Sequence, residues 1–175
     1  MDRLAAAGVG IAHCPSSNMI TGSGTCPVPA LEAAGCAVGL AVDGSSANDS
    51  SSLIGEVRLA FLLQRHAHGV RQVSHRDALR WATDGGARCL NWPEIGAIKP
   101  GMRADLALFR IDTPGFSGTD DRLAALVRSA PAHADRMLVN GEWRVVDGQP
   151  TGLDMAALLA RHDAAARALR ARAGL

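Results

Sequence analysis

Apolar residues along this chain fall into two rhythms, short unbroken runs and helical spacings, and in the first third they alternate. A helical turn over Asp2 to Ala7 closes at Gly8, and Val9 to His13 then forms a short apolar run that predicts a buried strand. Pro15-Ser16-Ser17-Asn18 reads as a turn with capping side chains, Thr21 to Thr25 as a glycine-rich loop, and Pro27 to Ala34 as a helix stopped by Gly35. Ala37 to Val42 carries no polar side chain and predicts a strand buried on both faces, as in a parallel sheet. Strand, loop, helix, strand is the unit from which parallel sheets and barrels are built. On this reading the chain opens in the middle of a fold.

The second apolar run stops on Asp43 and gives way to a small, polar loop over Gly44 to Ser52. Leu53, Ile54, Val57, Ala60 and Phe61 then recur at helical spacing as far as about Arg65, with Glu56, Arg58 and Gln64 on the polar face. Ser74 and Asp77 have the spacing of a capping box, and Leu79, Ala82, Ala87 and Leu90 continue a second helix.

From Ile95 the rhythm becomes that of a small β module. Lys99-Pro100-Gly101 is a turn and Ala104 to Arg110 a strand, while Met137 to Val146 forms a hairpin around Asn140-Gly141. Asp154 caps a last helix whose Met155, Leu158, Leu159, Ala165, Ala166 and Leu169 share an apolar face.

Composition narrows the classes. The 175 residues, 47% hydrophobic, suffice for an ordinary core. Net charge is +1 and Lys99 is the only lysine, so no basic face for nucleic acid emerges. The apolar runs are too short to span a bilayer and Met1-Asp2-Arg3-Leu4 does not open a signal peptide, which predicts a cytoplasmic protein without a membrane partner. Cys14, Cys26, Cys36 and Cys89 show neither a CxxC pair nor zinc-ribbon spacing and read as buried thiols.

Asp43 is the first candidate for chemistry, because the carboxyl ends of barrel strands are where catalytic residues and metal ligands gather. Aspartate before glycine is also a common turn former. His13 ends the preceding strand and shares that rim; a zinc or iron ion accepts both residue types, yet two ligands do not make a site, and a histidine satisfied by the backbone accounts for His13 equally. His66 and His68 close a helix, where residues i and i+2 point about 200° apart, so they read as a cationic cap and not as a ligand pair. His75, His133 and His162 have no partner spacing.

Four segments, in order, carry a family resemblance: Ala12-His13-Cys14-Pro15-Ser16-Ser17-Asn18-Met19, Val42-Asp43-Gly44-Ser45-Ser46-Ala47-Asn48-Asp49, the stretch Gly96 to Leu106, and Leu138-Val139-Asn140-Gly141. They resemble the C-terminal part of the amidohydrolase superfamily, in the branch of guanine, S-adenosylhomocysteine and 8-oxoguanine deaminases and triazine hydrolases. The run from Asp43 through Glu56-Val57-Arg58 and Leu62-Leu63-Gln64-Arg65 is most similar to the 8-oxoguanine deaminases.

The resemblance implies an α/β fold, the C-terminal part of a metal-dependent hydrolase (β/α)8 TIM-like barrel plus part of the flanking composite β-sandwich. Residues 1–94 would supply barrel strands seven and eight with their helices, 95–150 the sandwich strands, and 151–175 the terminal helix. Asp43 matches the eighth-strand aspartate, a catalytic and metal-binding residue, whereas His13 matches a position that is not a ligand. The implied cofactor is one divalent metal, Zn2+ with Fe2+ as the alternative. The implied activity is hydrolytic deamination of a small amino-purine or related heterocycle, 8-oxoguanine first, with guanine and triazines open, by a homo-oligomer in the full-length form. The family's strand-one HxH pair, its fifth-strand histidine and glutamate, and its sixth-strand histidine have no counterpart in this sequence. A (β/α)8 barrel takes about 250 residues. The expectation is therefore a truncated chain, inactive alone; a non-catalytic module that pairs with another chain is the competing reading.

Overall fold

The computed structural model describes residues 1–129 and 133–174; residues 130–132, within the 95–150 segment, and Leu175, the end of the 151–175 segment, lie outside the described residues. Helix α1 (Asp2–Ala6) leads into strand β1 (Gly10–His13), helices α2 (Pro15–Thr21) and α3 (Val28–Ala33), and strand β2 (Ala37–Leu40). The two strands pair in parallel, Gly10 opposite Ala37 and His13 opposite Leu40, so both end at one rim. The second strand is shorter than the apolar run that predicts it. Ala41 N–H still donates to His13 O at 3.0 Å, and beyond it the backbone turns away.

Pro15 to Asn18 is a helical turn and not the isolated turn expected. Pro15 occupies the first helical position, where its missing N–H costs nothing, and α2 continues to Thr21 before Gly22 closes it in the left-handed region. The long loop after β2 leads to helix α4 (Leu53–His68), capped by Ser52 Oγ, which accepts from Gly55 N–H at 3.2 Å.

The second expected helix is three pieces: α5 (His75–Arg80), a π-helical turn (Trp81–Gly85) and α6 (Gly86–Cys89). Ser74 and Asp77 form the expected reciprocal capping box. The stretch lies against the two-stranded sheet with almost no space between them. A Cβ on Gly85 would stand 2.2 Å from Val38 O, and one on Gly39 would stand 2.9 Å from Gly86 Cα. Cys89 Sγ rests 3.3 Å from Ala37 O and 3.4 Å from Ile11 O on the same face.

The core sits between this sheet and its helices, built from Val28, Leu31, Val38, Leu40, Val57, Phe61, Val73, Trp81 and their neighbours. Helix α7 (Arg122–Ser129), which the apolar pattern did not bring out, packs on α4 and α5 and sends Val127 into that core. Arg58 Nε donates to Arg128 O at 2.9 Å across this contact. Cys36 is buried as expected; Cys14, Cys26 and Cys89 are only partly covered, and all four are free thiols.

Strands β3 (Leu106–Leu108), β4 (Arg136–Val139), β5 (Glu142–Val146) and β6 (Gln149–Pro150) form an antiparallel sheet in that order. Asn140 and Gly141 take φ 51° and 81°, the double left-handed turn that two-residue hairpins require. Leu108, Val139 and Trp143 leave this sheet 41–45% exposed. Asp154 Oδ1 accepts from Ala157 N–H at 2.9 Å and starts helix α8 (Met155–Ala173) as expected. Its apolar face, however, is not buried: Met155 and Ala166 are partly covered, and Leu158, Leu159 and Leu169 stand in solvent. Among the described residues no helix is long and apolar enough to cross a membrane.

Candidate active site

Because β1 and β2 are parallel and end together, the segments that follow them meet at one rim. Asp43 stands there three residues past the end of β2, exposed, with φ 65°. Aspartate tolerates the left-handed region better than most side chains, and such positions cluster at functional sites. Ser17 Oγ, from α2, donates to Asp43 Oδ2 at 2.6 Å, and Gly44 N–H donates to Oδ1 at 2.8 Å. These two donors, the serine first, hold the Asp43 carboxyl below its ordinary pKa of 3.8. An ionised carboxylate with one donor on each oxygen keeps a further lone pair on each.

Beneath Asp43 the polar side chains are buried. Among the described residues His13, Ser17, Asn48, Glu56 and Gln64 are the polar side chains inside the fold, and all five belong to the rim or to the face of α4 behind it. Glu56 and Gln64, assigned by helical spacing to a solvated face, are in fact 1% and 0% exposed. Polar loop residues meet them there. Glu56 Oε2 accepts from Ser16 N–H at 2.9 Å; Oε1 accepts from Asn48 Nδ2 at 2.9 Å and from the Ser16 hydroxyl. Gln64 Nε2 donates to Cys26 O at 2.8 Å and lies 3.4 Å from His13 Nε2.

His13 is 1% exposed, and burial pushes its pKa below 6.5. Its ring faces Gln64, and its Nδ1 has no hydrogen-bond partner among the described residues. His13 and Asp43 share the rim, as their strand positions predict, while the groups that touch Asp43 are Ser17 and Gly44. His66 and His68 are exposed at the end of α4, which Gly69 closes. His75 lies 3.2 Å from Asp121, and His133 and His162 are exposed.

Among the described residues no three His, Cys, Asp or Glu side chains come together as a metal site. Asp43 by itself suits a divalent ion at one coordination position, being ionised, exposed and oriented by two donors. Sequence reasoning missed Ser17, Asn48, Glu56 and Gln64 as parts of this rim. The signal was available in part: Glu56, Ala60 and Gln64 recur every four residues, so two polar side chains share a stripe with a buried alanine.

The chain resembles known proteins over nearly its whole length. The profile of the amidohydrolase family matches residues 1–144. An 8-oxoguanine deaminase from Pseudomonas aeruginosa is 55% identical over 167 residues, covering 95% of this chain and 37% of that protein. The crystal structure of an atrazine chlorohydrolase from Arthrobacter aurescens TC1, complexed with zinc, superposes with a TM-score of 0.87 at 34% identity, over 93% of this chain and 37% of the other. A zinc-bound adenosine deaminase from Xanthomonas campestris gives 0.85 at 30% identity, over 98% and 39%. The chain thus spans well under half the length of the relatives it matches.

Proposed function

Since the chain belongs to the amidohydrolase family, we propose that it forms the rim of a metal-dependent deaminase site, with Asp43 as a metal ligand and as the base of the reaction. The observation that carries this reading is the Asp43 carboxylate, ionised and doubly hydrogen-bonded at the shared end of two parallel strands. The substrate it favours is an amino-purine, 8-oxoguanine first, supported by the 55% identity to a deaminase of that name. The zinc in two structural relatives supports Zn2+ as the ion.

A divalent ion held in part by Asp43 would supply an acidified water near neutral pH. Asp43 would take up a proton at the open lone pair of Oδ1 or Oδ2. Ser17 and Gly44 keep the carboxylate turned toward the rim while it does so, and the same proton is then available to the departing ammonia. Buried His13 contributes no ligand; it supports the floor of the site with Gln64. Among the described residues Asp43 has no cluster of further ligands around it, so tight binding of the ion calls for ligands beyond those described.

The test is ammonia release by the zinc-loaded, full-length protein carrying this sequence, assayed on 8-oxoguanine, guanine, isocytosine and a chlorotriazine. Turnover of 8-oxoguanine above the others supports the reading. Ammonia from guanine alone, or chloride from the triazine alone, contradicts the substrate assignment; no turnover of any of them contradicts the reaction class.

A further inference from the structure

Both hydrogen bonds that orient Asp43 come from segments that end on one buried residue, Glu56. Ser17 donates to Asp43 Oδ2, and Ser16, its neighbour in the first turn of α2, gives both its N–H and its hydroxyl to Glu56. Gly44 donates to Asp43 Oδ1, and Gly44 O in turn accepts from Asn48 N–H at 3.1 Å, while Asn48 Nδ2 is fixed on Glu56 Oε1. Asn48 Oδ1 is occupied by Ser50, which donates from its hydroxyl at 2.9 Å and its N–H at 3.2 Å, so Asn48 presents only its NH2 to Glu56. Glu56 is 1% exposed on a helix of sixteen residues.

We propose that Glu56 is a positioning residue for Asp43, tying the segment after β1 and the loop after β2 to α4 so that Ser17 and Gly44 hold the Asp43 carboxylate in one orientation toward the metal. This rests on Asp43 being a ligand and base. The chemistry of the position is acceptor-only: three donors converge on two oxygens. Glutamine there would turn an NH2 either toward Ser16 N–H or toward the Asn48 amide and leave a buried donor unpaired. Residues that orient a ligand act on the metal and its reaction through that ligand.

In the full-length protein carrying this sequence, the variants Glu56→Gln, Ser17→Ala, their combination, Ser16→Ala and Asp43→Asn are compared. The readouts are kcat, KM and the zinc dissociation constant from chelator competition, with melting of the metal-free protein to follow folding. Glu56→Gln is expected to weaken zinc binding and lower kcat by about 10- to 100-fold, KM moving less. Ser17→Ala and Ser16→Ala move both in the same direction, and the double variant is no worse than Glu56→Gln, because all act through Asp43. A Glu56→Gln protein that melts lower yet keeps zinc affinity and kcat overturns the proposal, as do losses that multiply in the double variant. If Glu56→Gln does not fold, Ser16→Ala decides: unchanged zinc affinity overturns the proposal. Wild-type behaviour of Asp43→Asn refutes the assignment of Asp43 and the proposal with it, whereas loss in Asp43→Asn with none in Glu56→Gln or Ser16→Ala refutes the role of Glu56 alone.

Discussion

Ser17 Oγ donates to Asp43 Oδ2 at 2.6 Å, joining the helix that follows one parallel strand to the acid that follows the other. Twenty-six residues separate the pair in sequence. The bond exists because β1 and β2 run in parallel and finish at the same rim, which is where α/β folds place ligands and catalytic groups.

Removing that hydroxyl has a signed consequence. The Asp43 carboxyl lies below its ordinary value of 3.8 because Ser17, then Gly44, donates to it, against a smaller contribution from desolvation. Ser17→Ala is therefore expected to raise the Asp43 pKa and to move the acid limb of the rate profile to higher pH. A carboxylate depressed on folding stabilises the native state above 3.8 and loses that contribution as pH falls through its folded pKa. Carbon-13 NMR titration of the Asp43 carboxyl checks the direction; a lower or unmoved pKa contradicts it.

His13 predicts a second pH effect. Burial lowers its pKa, so the folded state favours the neutral ring and binds fewer protons than the unfolded chain below 6.5. The stabilisation is whole above pH 6.5 and is lost as pH falls from there through the folded pKa. Denaturant unfolding at pH 7, 6 and 5 is expected to show stability falling in that window, and His13→Gln is expected to flatten the fall.

Gly85 tests the close packing of the π-helical turn on β2. Glycine to alanine within a helix ordinarily gains up to about 1 kcal/mol. At Gly85 the added Cβ would stand 2.2 Å from Val38 O, so the sign reverses and Gly85→Ala is expected to cost about 1–3 kcal/mol, read as a lower melting temperature. A gain in stability would mean that the turn does not sit this close to the strand.

His66 and His68 provide the negative control. Both are exposed on the last turn of α4, two residues apart on a helix, and cannot reach one ion together. The double substitution His66→Ala, His68→Ala is expected to leave zinc content and turnover unchanged, measured by metal analysis and by ammonia release. Loss of zinc in that variant would move the metal site away from Asp43.

What could be read from the sequence is what short-range chemistry fixes. Asn140-Gly141 specifies its hairpin because two adjacent left-handed residues are needed there, and Ser74 with Asp77 specifies a helix start by reciprocal bonds three residues apart. Asp43 was legible as the polar stop of an apolar strand. Glu56 was not, because the donors that make its burial affordable lie eight and forty residues away, and helical spacing alone assigns a glutamate to solvent. Pro15 to Asn18 looked like a turn since serine, asparagine and proline all favour turns; it is the first turn of a helix running to Thr21, and its Ser16 and Ser17 bond to Glu56 and Asp43, residues distant in the sequence. The apolar face of α8 was visible in its spacing, but spacing does not say whether anything covers it.

The most direct test of the central claim is Asp43→Asn in the full-length protein, with zinc content and ammonia release from 8-oxoguanine measured on samples of matched melting temperature. Asparagine keeps the shape, its oxygen accepting from Gly44 N–H and its NH2 donating to Ser17 Oγ, but it removes the charge and the basic oxygen. The predicted result is an intact fold, weakened zinc binding, and turnover reduced on the order of 10^2- to 10^4-fold, the usual worth of a positioned base. An Asp43→Asn protein that retains its zinc and deaminates at the wild-type rate would contradict the account.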